Sequence, residues 1–391
     1  MLTQHSAPVE CVISGKDMEP VCINGMTNSE LIVSLPDFHP WTPEDPFLYL
    51  VSLKSSADRV SSYFAMRKCD IQTAPDGTQR FFLNNKPYFQ AGVLDQGYWP
   101  EGLYTPPSDG AVEHELHTVR ELGFNLLRKH AKIEPERWYY HCDKLGIIVW
   151  QDMVNGGGAY PMWYVTYLTN ALQPLLRYAP DGKLLWGLLG RGSARSREEY
   201  SRELADTVAA LGQHPSIGCW VPFNEGWGQF DSDRVCGWFR TLDATRFIDT
   251  TSGWFRGKDT DVDSRHQYFG KLRLEGDGLR PLVLSEFGGK TWRVEGHIFN
   301  PDKTYGYGAC PTREALNEAV AALYRESIVP AVEKGLCAAI YTQVSDVEDE
   351  VNGLITYDRR VVKLDADTML PISRALQDAM EKTVASFEKM G

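Results

Sequence analysis

The sequence lacks the marks of several large protein classes. Its eight cysteines include no C-x-x-C pair and no spacing that suggests a zinc site. Several fall inside apolar runs, such as Ser216–Trp220 and Gly335–Tyr341, where cysteine acts as a small core residue. Free thiols and a reducing compartment are therefore expected. No run approaches the roughly 18 apolar residues of a membrane span. The start, MLTQHSAPVECVIS, has no basic stretch followed by an apolar run, so no signal peptide is expected. A cytoplasmic setting with no membrane partner follows as the expectation. Basic residues are not in excess either. The formal net charge of -12 argues against a nucleic-acid partner.

What is present is a chain of 391 residues, 43% apolar and 24% charged. That is longer than one ordinary domain and long enough for a barrel of roughly 250 residues plus a smaller unit. Up to about residue 70, helical periodicity is missing. Leu31–Leu35, Phe47–Leu53 and Val60–Met66 are strand-like, with Pro36, Pro40, Pro43 and Pro46 between them. Short strands with proline-rich turns predict part of a β-sandwich. A sandwich cut short would expose strand edges at Leu31–Leu35 and Phe47–Leu53. Such edges invite self-association, so a homo-oligomer is one expectation.

From Arg80 onward short apolar runs alternate with helical segments, the signature of βα units. Tyr88–Leu94, Phe124–Leu127, Ile147–Trp150, Ile217–Phe223, Phe247–Thr251, His266–Phe269, Leu282–Leu284 and Ala338–Gln343 are the strand candidates. Helices are predicted around Val112, Leu116 and Val119, from Pro135 to Leu145, over Arg197–Leu211 and over Arg313–Glu333. Two long loops, Met153–Arg197 and Gly288–Pro311, break the rhythm, and loops of that length are usually functional. The predicted fold class is α/β: a TIM (β/α)8 barrel over residues 79–391, preceded by a partial immunoglobulin-like β-sandwich over residues 1–78.

Active sites of such barrels gather at the C-terminal ends of the strands. There the chain places Arg128-Lys129-His130, Gln151-Asp152, Asn224-Glu225-Gly226-Trp227, His266 with Tyr268, and Ser285-Glu286-Phe287. A carboxylate ending a buried strand costs desolvation energy. Two of them, on opposite sides of one barrel, imply a working pair. Glycoside hydrolysis uses such a pair: one carboxyl protonates the leaving oxygen, and the other attacks the anomeric carbon or activates water. Glu225 is the candidate acid/base and Glu286 the candidate nucleophile. Arg128 and Tyr268 are candidates to keep Glu286 ionised, while burial beside that charge would raise Glu225.

Motifs in this order resemble glycoside hydrolase family 2, the family of β-galactosidases, β-glucuronidases and β-mannosidases. Trp-Thr-Pro-Glu-Asp-Pro-Phe-Leu-Tyr at 41–49 and Ser-Tyr-Phe-Ala-Met-Arg-Lys at 62–68 look like its immunoglobulin-like domain, with Ala65 in place of the usual glycine. Phe-Phe-Leu-Asn-Asn-Lys-Pro at 81–87 is similar to the hairpin entering the barrel, and Gly-Phe-Asn-Leu-Leu-Arg-Lys-His at 123–130 to the second-strand motif. Phe-Asn-Glu-Gly-Trp-Gly at 223–228 and Leu-Ser-Glu-Phe-Gly-Gly at 284–289 resemble the acid/base and nucleophile motifs. The resemblance implies a retaining exo-β-glycosidase, β-galactosidase-like, with a carbohydrate substrate, a glycosyl-enzyme intermediate and no cofactor. No metal-ligand cluster stands out. It also implies that the family's N-terminal jelly-roll domain is missing, so an inactive carbohydrate-binding relic is the alternative. The family's Asn-x-Lys motif for a sugar carboxylate is not evident at Asn352-Gly353-Leu354, which favours a neutral sugar over a glucuronide.

The other candidates for binding or support are Arg128, His130, Asp152, Asn224, Trp254, His266 and Tyr268. Arg128 could instead be a barrel salt-bridge residue, His130 and His266 structural hydrogen bonders, and Asp152 an orienter of its neighbours. Trp227, Trp254 and Trp292 are either core residues or platforms for sugar faces. Asp346, Glu348, Asp349 and Glu350 form an acidic cluster, most of which is expected to be a solvated loop.

Overall fold

The computed structural model describes residues 4–172, 178–272 and 274–388. At its centre are eight parallel strands: β1 (Gln90–Asp95), β2 (Leu126–Lys129), β3 (Ile148–Asp152), β4 (Ile217–Val221), β5 (Phe247–Ile248), β6 (Asp263–Gln267), β7 (Leu282–Phe287) and β8 (Leu336–Tyr341). Their order across the sheet is β5-β4-β3-β2-β1-β8-β7-β6. That is the cyclic order of a (β/α)8 barrel opened between β5 and β6, and the sheet curls in the manner of a TIM-like barrel. Side chains cross the opening. Ser264 Oγ donates to Asp249 Oδ2 at 2.7 Å, and the Ser252 and Ser264 hydroxyls lie 3.4 Å apart.

Helices cover the outside of the sheet. α1 (Asp109–Glu121) starts where Ser108 accepts from Ala111 N, and turns Val112, Leu116 and Val119 inward. α2 (Glu136–Leu145) stops at Gly146, whose φ of 71° is left-handed. A β-carbon there would lie 2.3 Å from Pro43 O, so glycine also permits the N-terminal segment to pack close. α3 (Ala194–Leu211) and α4 (Ser232–Leu242) follow β3 and β4. α5 (Arg313–Leu323) continues through a π turn at Tyr324–Ile328 into Val329–Val332, and α6 (Ala366–Glu388) follows β8. Among the described residues no helix lies between β5 and β6 or between β6 and β7.

Several expectations are corrected in detail. Pro135 sits one residue before α2, at ψ 144°, rather than in its first turn. β6 begins at Asp263, three residues before the expected His266, because buried Asp263 and Ser264 are polar and give no apolar signal. α6 was not expected, although Met369, Ile372, Leu376 and Met380 form its buried stripe. Within the loop Met153–Arg197, residues 173–177 lie outside the described residues; the rest holds a π turn at Trp163–Leu168 and a short helix at Thr169–Leu172.

The N-terminal part is a four-stranded antiparallel sheet in the order Val21–Met26, Pro8–Ser14, Tyr49–Lys54, Arg59–Phe64. A three-stranded unit, Cys69–Thr73, Gln79–Leu83 and Lys86–Pro87, leads into the barrel. Leu31–Leu35 forms no strand; its Leu31, Val33 and Leu35 pack irregularly onto the small core of this sheet. Tyr49–Lys54 is an interior strand, so the expected exposed edge there is absent, and the edges are Val21–Met26 and Arg59–Phe64. The two parts share core. Trp41, 1% exposed, donates through Nε1 to Asp143 O at 2.8 Å, and Tyr63 OH donates to Asp143 Oδ2 at 2.8 Å. Phe81 stacks on Phe247 at 4.7 Å and closes the N-terminal end of the barrel. No helix among the described residues is long and apolar enough to cross a membrane.

The Trp41 contact ties the two parts together. Trp41→Ala should lower stability by about 3–5 kcal/mol in urea unfolding. An unchanged midpoint would show that the Trp41 contact contributes nothing to stability.

Candidate active site

The site is built around one buried guanidinium. Arg128, the third residue of β2, is fully buried, and all five of its N–H groups have acceptors. Nε and Nη2 donate to Asp152 Oδ1 and Oδ2 at 3.0 and 2.9 Å, a bidentate pair. Nη2 also donates to Asn224 Oδ1 at 2.8 Å. Nη1 donates to Ser285 O and to Glu286 Oε1, both at 3.1 Å. Residues from β2, β3, β7 and the segment after β4 are thereby fixed to one rigid plane.

Glu286 sits on β7, held by Arg128 and by the hydroxyl of Tyr268, which donates to Oε2. Tyr268 is itself stacked on Tyr307 from the second long loop, ring centres 3.9 Å apart. Glu225 follows β4 on a turn with a left-handed φ of 53°, a conformation that non-glycine residues adopt only when their surroundings impose it. Its N–H donates to Ser252 O at 2.8 Å. Gly228 completes the turn, since a β-carbon there would meet Gly156 O at 1.7 Å.

His266 lies between the two carboxyls. Nδ1 is 2.7 Å from Glu225 Oε1, and Nε2 is 3.0 Å from Ser252 Oγ and 3.5 Å from Glu286 Oε1. Burial pushes the imidazole down to about 3, so it is neutral. Arg128 Nη1 is also 3.3 Å from Nε2, but its two hydrogens are committed to the shorter contacts. The ring thus bridges the Glu225 carboxyl to Ser252 and to the Arg128–Glu286 pair. Burial pushes Glu225 up to about 7, against the pull of His130 and Arg128. Asp152 shows the opposite balance: burial raises it, yet Arg128 and His130 hold it below the usual carboxylate range. His130 Nδ1 lies 2.7 Å from Asp152 Oδ2. Burial lowers His130, but this carboxylate and Glu286 carry it above its ordinary value.

Glu225, His266 and Glu286 bring donor atoms within 4.8 Å of one another. A divalent cation could use that spacing, although the Arg128 guanidinium already neutralises Glu286 Oε1. The group opens into a cavity of 1120 Å³. Of the sequence candidates, His130, Asn224, Glu225, Trp254, His266, Tyr268 and Glu286 line it, while Arg128 and Asp152 stand behind the wall. Trp254 also ties down the first long loop by donating to Val165 O at 3.0 Å. Trp292 packs on the core away from the cavity, and Trp227 lines it.

The acidic loop is corrected. Asp346 is buried against Lys363, 2.6 Å away, and Glu350 lines the cavity, accepting from Gln343 Nε2 at 2.6 Å. Neither partner is near in sequence, so a local charge run gave no hint of them. Tyr307, Arg256 and Arg265 are cavity residues that sequence reasoning missed. Asp249 was missed as well: burial raises it to about 6 at the sheet opening.

With this geometry in place, comparison with known proteins becomes informative. A putative beta-glucuronidase of Formosa agariphila is 23% identical over 267 residues, 66% of this chain and 22% of that protein. A beta-galactosidase of Leuconostoc mesenteroides is 23% identical over 241 residues, 61% and 21% of the two chains. Beta-mannosidase B of Aspergillus clavatus is 25% identical over 304 residues, 74% and 30%. The chain is thus similar in sequence to beta-glucuronidases, beta-galactosidases and beta-mannosidases. These matches take in less than a third of each relative's own length. No family model matches the chain. Among solved structures, a GH2 beta-galacturonidase from Eisenbergiella tayi shares the fold with a TM-score of 0.60 at 16% identity, covering 97% of this chain and 68% of that one. A beta-glucuronidase from an uncultured Clostridium gives 0.64 at 14% identity, covering 96% and 64%.

Arg128 neutralises two buried carboxylates. Arg128→Met should cost about 3–5 kcal/mol in denaturant unfolding, because Asp152 and Glu286 lose their counter-charge. Arg128→Met combined with Asp152→Leu should recover part of that loss, and a strictly additive double variant would refute the coupling.

Glu225 makes a separate prediction. Its folded-state value near 7 lies above the unfolded one, so its contribution to stability is full below the ordinary carboxylate range and is lost as pH rises towards 7. Glu225→Gln should therefore melt higher than the parent at pH 8, with the gap closing at pH 4. A gap that widens at low pH would reverse the assignment.

Proposed function

We propose that the chain carries the catalytic site of a retaining exo-β-glycosidase, with Glu225 as acid/base and Glu286 as nucleophile. The observation that carries this is the opposition of two carboxyls in unlike surroundings. An oxygen of each lies within 4.8 Å of the other, compatible with the short separation of retaining sites rather than the 6.5–9.5 Å of inverting ones. One faces a guanidinium and a phenol; the other faces a neutral imidazole and is pushed up to about 7 by burial. Separated environments of this kind assign proton donor and attacking group.

In the first step a Glu286 oxygen bonds to the anomeric carbon as the glycosidic bond breaks. The Glu225 proton passes to the departing oxygen. In the second step Glu225, now ionised, takes a proton from water, whose oxygen bonds to the anomeric carbon while Glu286 leaves. Asn224 is turned by Arg128 so that its oxygen faces inward, which leaves its amide nitrogen for a sugar hydroxyl. The cavity lining also includes Gln96, His130 and Glu350. Glu350 and Glu286 both line this space, so an anionic sugar ring would meet two carboxyl groups there. This favours a neutral glycone of the galactoside or mannoside type, both activities being named among the relatives.

The test is a panel of aryl β-glycosides with two variants. Glu286→Gln should abolish turnover, since an amide cannot form the covalent intermediate. Glu225→Ala should keep glycosylation by activated leaving groups but stall in deglycosylation, with azide restoring the rate. In the parent, kcat/KM should fall above a pH near 7 as Glu225 ionises. Turnover that survives Glu286→Gln, or azide that has no effect on Glu225→Ala, would reject the assignment.

A further inference from the structure

The proposed chemistry leaves one half of the cavity unused. The line from Glu225, after β4, to Glu286, on β7, divides the mouth. On the β8-β1-β2 side lie His130, Gln96 and Glu350. On the β5-β6 side the lining is Arg256, Arg265 and Lys271 with Tyr167, Trp254 and Phe269. The side chains of the first half are partly buried. The second is open: Tyr167 and Phe269 are each 69% exposed. A leaving group that continues into solvent belongs in the open half.

Two details of the backbone build the cationic wall. Consecutive strand residues ordinarily point to opposite faces. In β6 the pairing with β7 slips between Arg265 and His266, and this bulge lets both line the cavity. Asp263 then spaces the arginines: Arg256 Nη1 lies 3.2 Å from its Oδ1 and Arg265 Nη2 lies 2.9 Å from its Oδ2. The Asp263 side chain is fully buried while both arginine side chains stay about a fifth exposed. The carboxylate stands behind the guanidiniums and holds them side by side. Lys271, exposed, adds another basic group. The wall carries three basic side chains within a chain whose net charge is -12, and it lies across the Glu225–Glu286 line from Glu350.

We propose that this wall is a leaving-group subsite for an anionic sugar, one bearing a carboxylate or a sulfate, recognised by Arg256, Arg265 and Lys271 beside the rings of Tyr167 and Phe269. Guanidinium groups match the planar or tripodal oxygens of such anions, and the aromatic rings offer surfaces for the C–H face of a sugar. The proposal rests on the glycosidase assignment for the identity of the leaving group, though not for the wall's affinity for anions.

The experiment compares 4-carboxyphenyl, 4-sulfophenyl and uncharged 4-carbamoylphenyl β-glycosides of galactose, glucose and mannose. The readout is the ratio of kcat/KM for an anionic aglycone to that for the carbamoyl one, which cancels any general loss of activity. In the parent this ratio should fall as salt is added. In the Arg256→Gln/Lys271→Gln double variant it should drop about tenfold, mainly through KM, with Arg256→Lys recovering part of it. The carboxylate and sulfonate arms separate a uronate-like from a sulfate-like ligand. A ratio indifferent to salt in the parent, or unchanged in the double variant, overturns the proposal while leaving the glycosidase assignment standing. If no glycoside turns over, that assignment fails instead. Calorimetric binding of the same three compounds then decides the wall alone: tighter binding of the anionic pair supports it, and equal affinity overturns it.

Discussion

The five hydrogen bonds of Arg128 are the constraint on which the rest of the site depends. A guanidinium buried at the centre of a curled sheet carries a large desolvation cost, offset only when every donor is satisfied and opposite charge is close. Asp152 supplies the bidentate pair, and Glu286, Asn224 and Ser285 take the remaining hydrogens. Because the guanidinium is planar, those partners are fixed in orientation as well as in distance. Its Nη1 also lies 3.3 Å from His266 Nε2, and the other nitrogen of that ring is 2.7 Å from Glu225 Oε1. One residue thus reaches both carboxyls, one directly and one through a neutral ring.

The fold serves this arrangement by giving up regularity where the chemistry sits. β5 and β6 carry no covering helices among the described residues, and polar Asp249, Ser252 and Ser264 fill the gap between them. The β6 bulge brings His266 opposite Glu286. The left-handed turn at Glu225 is a second irregularity, supported by the Ser252 carbonyl and by glycines at 226 and 228. Natural barrels tolerate such departures at functional positions because the remaining strands, buried on both faces, supply the stability.

The barrel strands and the two facing carboxyls were legible because each had a local signal. β7 and β8 are apolar runs, and Glu225 and Glu286 stand at the ends of such runs inside distinctive short motifs. What stayed hidden depended on distance in the sequence or on polar burial. β6 starts in buried Asp263 and Ser264, so its first half resembled a loop. Pro8–Ser14 does alternate Val9, Cys11 and Ile13 inward, a usable strand signal that was overlooked. Glu350 and Asp346 looked like a solvated acidic run, because Gln343 folds onto one and Lys363 onto the other only in three dimensions. Arg256 and Arg265 gave no sign of facing the cavity, since a bulge and a loop position them.

Mechanism-based labelling tests the central claim most directly. An activated 2-deoxy-2-fluoro β-glycoside slows both steps but deglycosylation more, so a covalent intermediate accumulates and can be located by peptide mass spectrometry. The account predicts one sugar per chain, attached to Glu286, with no adduct in Glu286→Gln. An adduct on another carboxylate, or a first-formed product of inverted anomeric configuration from an ordinary substrate of the same glycone, would contradict it.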